Sequence, residues 1–180
     1  MTQFSPHSKD ILAGLIGDLL SLEAVLDSPI FTFNSRDPKR QLKLSILAIA
    51  IDVLSADGEL DDDEVVILID LAEVLAYFHF SDLTEELLEA KGFKEAVLPD
   101  LRDSFMTLLR DNPNIYELQI PGFVSLFEIY DSANRTSLAE LLRSMYSRFA
   151  AVCADYDRPI NESERAVLSA LETALYPKSK

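Results

Sequence analysis

The residues best equipped for chemistry in this sequence are five carboxylates at two bends of the chain. Asp57 and Glu64 belong to the first bend, and Asp155, Asp157 and Glu164 to the second. Ca2+ and Mg2+ are hard cations that select several oxygen ligands, mostly carboxylates and carbonyls. Asp57 and Glu64 have the same spacing as Asp157 and Glu164, and Gly58 lets the backbone fold sharply between the first pair. This chemistry would be one or two low-affinity divalent-cation sites. Asp57 and Glu64 are the principal ligands expected for the first, and Asp155, Asp157 and Glu164 for the second, with Asp52 as a contributor.

The bends also read as pure structure. Asp61-x-x-Glu64 and Asn161-x-x-Glu164 have the form of capping boxes, in which a cap side chain bonds the third residue's N–H and the glutamate reaches back. Acidic residues in a first helical turn suit the helix dipole. Asp57, Asp155 and Asp157 precede the boxes and serve equally well as turn formers. A calcium-binding EF-hand loop fits only in part. With Gly58 at its sixth position, Asp57, Asp61 and Glu64 fall on the fifth, ninth and twelfth, but Val53 occupies the first. In the second bend the first position is Cys153 and the sixth is Arg158, so both copies lack the first ligand.

The elements that must position these residues are helices. Apolar residues recur at three and four from Asp10 to Leu26, with Gly14 and Gly17 expected at a close packing contact and Asp27-Ser28-Pro29 ending the run. Ile30 to Ser35 is expected to be a loop that tucks Phe31 and Phe33 into the core. Asp37-Pro38 starts a helix, apolar on nearly every side from Leu42 to Leu54, which means burial all round. Asp61 to Phe80, Asp82 to Lys91 with Gly92 as a left-handed cap, and Lys94 to Arg110 restarting near Pro99 follow. Tyr116 to Ile120 is expected to be a loop, Pro121 to start a helix reaching about Ala133, and Thr136 to cap one from Ser137 to Cys153. Asn161 to Tyr176 is last. The fold class is therefore all-α, about eight helices in one bundle and one domain over residues 1–180.

Composition restricts the partners. The net charge of −15 and a pI near 4.4 would repel phosphate backbones and anionic headgroups, so neither nucleic acid nor a membrane surface is expected. No apolar run reaches the roughly 20 residues a membrane helix needs, and no basic segment with an apolar signal core follows Met1. The single Cys153 forbids an intramolecular disulfide and suits a reducing compartment. A soluble, cytoplasmic protein is expected. Two histidines, His7 and His79, with no second cysteine argue against zinc. Cys153 reads as a small buried hydrophobe, and Tyr77-Phe78-His79-Phe80 as core or as a partner-facing patch. No nucleophile stands near a base, and no glycine loop is present to cradle phosphate.

The two bends are one unit used twice. Placing Ile160 on Leu60 puts Asn161 on Asp61, Glu164 on Glu64 and Leu168 on Leu68, and Asp155 meets Asp57 if the second loop carries two extra residues. The units cover about 36–80 and 136–176. Ala56-Asp57-Gly58-Glu59-Leu60-x-x-x-Glu64, with Ala154-Asp155 and Ile160-x-x-x-Glu164 and the flanking helices, resembles the TerB-like family, named for bacterial tellurite resistance. The second copy lacks the glycine and inserts Tyr156 to Pro159. The resemblance implies an all-helical domain with metal-binding acidic residues. It also implies a non-enzymatic adaptor in stress response, with protein partners such as an ATPase or a membrane-associated complex. The other reading is a protein–protein interaction module with purely structural acidic loops, binding a basic partner or oligomerising through the aromatic patch.

Overall fold

Pro38 follows Asp37, whose carboxylate accepts the Arg40 N–H at 2.9 Å, and this cap starts helix α3 (Pro38–Leu54). In the computed structural model, which describes residues 6–65, 67, 68, 71, 98–155 and 159–177, all regular structure is helical, and no strand occurs among the described residues. The other elements are α1 (Pro6–Glu23), α2 (Pro29–Thr32), α4 (Leu98–Arg110), a π-helical turn (Ile115–Gln119), α5 (Ile120–Asn134), α6 (Leu138–Ala154) and α7 (Glu162–Leu175). Described residues 62–65, 67, 68 and 71 are helical too. No helix among the described residues is long and apolar enough to cross a membrane.

Helix α3 is buried all round, as its composition requires: Leu42, Ala48, Ile49, Ala50, Ile51 and Val53 are all shielded from water. It packs against α4, α6, α7 and the π-helical turn, while α6 also touches α1, α5 and α7. The two central helices are joined by a polar contact inside the core. Ser45 Oγ donates to the Leu42 carbonyl at 2.6 Å, and Tyr146 of α6 donates its hydroxyl to Ser45. Both side chains are buried, so the pair satisfies groups that would otherwise be costly to leave dry. At the rim, Lys43 of α3 pairs with Glu23 of α1 at 3.1 Å, and Arg148 of α6 pairs with Asp18 of α1.

Local departures from the sequence reading have identifiable causes. Residues 30–35 are not simply a loop. Pro29 starts the one-turn helix α2, which buries Phe31 against Phe127 and Tyr130. Phe33, two residues on, lies on the other side of that turn and is 92% exposed, so only one of the two aromatics reaches the core. Gly14 and Gly17 do not mark a close contact: a Cβ at either would meet nothing, and both lie exposed. Helix α1 stops at Glu23, before Asp27, because Val25 and Leu26 bond back three residues in tighter turns. The stretch 115–119 is helical rather than a loop. Ile115 and Ile120 are both buried, and the Gln119 and Ile120 amides reach back five residues, to Asn114 and Ile115.

The start of α6 is capped from another helix. Thr136 is not its cap. The Asp131 carboxylate of α5 accepts the Leu138 and Ala139 amides, each at 2.8 Å, and the Thr136 hydroxyl as well. Arg135 makes this possible by adopting a left-handed conformation, φ 57°, in which its N–H returns to the Asp131 carbonyl. Arg143 then holds α6 to its neighbours, bonding Glu128 of α5 and the Leu175 carbonyl of α7 and lying over the Tyr176 ring.

The two acidic corners as a candidate functional site

At the first corner α3 ends at Leu54. The Ser55 N–H bonds Ile51 O, and the Gly58 N–H returns to Ser55 O at 2.9 Å. Gly58 takes φ +103°, a conformation that a Cβ disfavours, so the turn depends on glycine there. Asp57 is exposed and closes a small turn of its own, accepting the Glu59 N–H at 3.3 Å. Leu60 is then buried and anchors the chain before the next helix. Asp61 accepts the Glu64 N–H, and Glu64 Oε2 accepts the Asp61 N–H, both at 2.8 Å. Glu64 is only 5% exposed.

Among the described residues, the second corner shares the apolar anchor and the capping box. Helix α6 ends at Ala154, and the exposed Asp155 caps it through its N–H to Ala151 O at 3.0 Å. Ile160 packs against the core in the position of Leu60. Asn161 accepts the Glu164 N–H at 2.8 Å, and Glu164 Oε2 accepts the Asn161 N–H at 2.7 Å. Glu164 is 2% exposed. Both corners thus place a buried glutamate in a reciprocal capping box, at a helix start where backbone N–H groups and the helix dipole favour negative charge.

The five carboxylates singled out from sequence therefore divide. Glu64 and Glu164 are buried and bonded to backbone; Asp57 and Asp155 are exposed, and Asp57 makes its own turn. Asp157 lies outside the described residues, as do His79, the run Tyr77 to Phe80, the helix Asp82 to Lys91 and the Gly92 cap. Among the described residues, no three His, Cys, Asp or Glu side chains gather in a way that could hold a metal ion. Asp62 forms an ion pair with Arg102 of α4. Asp52 sits beside Tyr116 of the π-helical turn. Burial pushes its carboxyl above the ordinary value, partly offset by the Tyr116 hydroxyl, and Tyr116 itself is pushed up by burial and by that carboxyl. Cys153 is buried, and burial pushes its thiol up to about 12, too high for a nucleophile near neutral pH.

Asp131 and Arg143 went unnoticed in the sequence, because their partners lie on other helices or beyond a left-handed arginine that gives no local signal. Partial burial raises the Asp131 carboxyl, but bonds from Thr136, Ala139 and Leu138, together with Arg143, outweigh it and hold the group below 3.8. A depressed carboxyl contributes stability above its unfolded value, and that contribution is lost as pH falls through the folded value. Asp131→Ala is therefore expected to cost about 1 kcal/mol at neutral pH. Urea unfolding of both proteins should show that difference closing in acid below pH 3.8.

In comparisons with known proteins, the chain matches no family model, no curated protein and no solved structure.

Proposed function

We propose that this chain is a non-enzymatic helical adaptor whose acidic corners are structural, fixing the exits of α3 and α6 and presenting an acidic surface to a protein partner. The observation that carries this reading is the shared capping box. Glu64 and Glu164, the two carboxylates a cation would most need, are buried and already accept backbone N–H groups. A cation drawing on Oε2 of either glutamate would compete with the Asp61 or Asn161 amide for its acceptor. The exposed carboxylates that remain, Asp57, Glu59, Asp155 and Glu162, give the corners their charge. A basic protein surface suits them better than any anionic ligand. The resemblance of residues 56–64 to the TerB-like family supports the same setting, an adaptor among the proteins of a stress-response complex.

Calorimetric titration with Ca2+, Mg2+ and Mn2+ tests the structural role. No saturable heat is expected from the native protein, and none from the Asp57→Asn/Glu64→Gln variant. Saturable heat that disappears in the variant would restore the cation site.

A further inference from the structure

Residues 33–40, the loop between α2 and α3 with the first turn of α3, hold three basic side chains, Arg36, Lys39 and Arg40, against one acidic, Asp37, in a chain of net charge −15. Among large apolar side chains, Phe33 stands almost wholly in water at 92% exposure. Arg36 and Arg40 follow it, both exposed and neither in an ion pair among the described residues, although the chain has 31 carboxylates to only 16 lysines and arginines. Nearby Lys39 is already occupied by Asp27 at 2.7 Å. The backbone here is held firmly. The Ser35 amide bonds Phe31 O, the Asp37 amide bonds Ser35 Oγ, and Asp37 caps α3 through Arg40 N. Phe31 pins the same turn to the core beneath. An exposed aromatic on a rigid loop costs little ordering on binding, and guanidinium groups recognise carboxylates through paired donors.

We propose that Phe33, Arg36 and Arg40 form a docking surface for an acidic protein segment. Phe33 takes an apolar side chain of the partner, and the two arginines take its flanking carboxylates. This rests on the reading of the chain as an interaction module, but it uses a patch separate from the acidic corners. A carboxylate-bearing peptide is favoured over nucleic acid or lipid because it can stay within this patch. A polyanion or an anionic bilayer would extend over a surface of net charge −15.

The test titrates a short peptide of alternating glutamate and leucine into the isotope-labelled protein and follows the backbone amides by NMR. Residues 33–40 are expected to shift. Affinity should fall roughly tenfold with Phe33→Ala and again with Arg36→Ala/Arg40→Ala, and should weaken as salt is added. Both variants change exposed residues, and unchanged amide spectra elsewhere would verify that they fold. No shift at 33–40, or binding that survives both variants, overturns the proposal. So does stronger binding to phosphatidylserine vesicles or to a single-stranded oligonucleotide than to the peptide. These variants leave Asp61, Glu64, Asn161 and Glu164 intact, so failure here leaves the account of the acidic corners standing.

Discussion

Phe31→Ala is expected to lower the unfolding free energy by about 3–5 kcal/mol, a large share of the stability of a chain this size. Phe31 is completely buried, with its ring 4.6 Å from that of Phe127 and 5.8 Å from that of Tyr130. Removing it leaves a cavity under α2 and abolishes two aromatic contacts with α5. The single-turn helix α2 has little else to hold it, since one turn is marginal without tertiary packing. The matched control is Phe33→Ala, which should change stability by no more than about 0.5 kcal/mol because the side chain is already in water. Chemical unfolding of the three proteins side by side measures both. A comparable loss for the two variants would contradict the placement of these rings.

Glu164→Ala is expected to cost about 1–3 kcal/mol, because the partly buried Asn161 N–H then has no carboxylate to receive it. Glu164→Gln keeps an acceptor of nearly the same shape and should cost less. Asn161→Ala should cost about 1 kcal/mol by removing the cap on the Glu164 amide. The double variant Asn161→Ala/Glu164→Ala should lose less than the sum of the single losses, since the two halves of a capping box act on one helix start. Strict additivity would mean that the glutamate contributes elsewhere. The corresponding variants of Asp61 and Glu64 are expected to follow the same order, because both corners share the same bonds.

Much of this architecture was legible in the residues, and the reasons separate what was legible from what was not. Helix α3 announced itself because a run apolar on every side has only one physical solution, complete burial. Asp37-Pro38 and Asn161-x-x-Glu164 were legible because capping is local chemistry: donor and acceptor lie within three residues of each other. Phe33 misled because adjacent aromatics look alike in sequence, while a single helical turn sends one to the core and the other to solvent. The π-helical turn at 115–119 was not legible as a helix because its buried residues, Ile115 and Ile120, are five apart, which is not the spacing of an ordinary helix face. Asp131 was hidden because its acceptors cap the next helix across a turn made by Arg135. At the corners, the residue types suited either caps or cation ligands. Only the burial of Glu64 and Glu164, and the direction of their oxygens, favour the cap.

The most direct measurement is therefore made on the backbone amides of Asp61, Glu64, Asn161 and Glu164. Their NMR signals should be the same in a chelator and in millimolar Ca2+ or Mg2+, and should move when Glu64 or Glu164 is replaced by alanine. Saturable, cation-dependent shifts of these same four amides in the native protein would show the carboxylates leaving their caps for a metal, and would contradict the account.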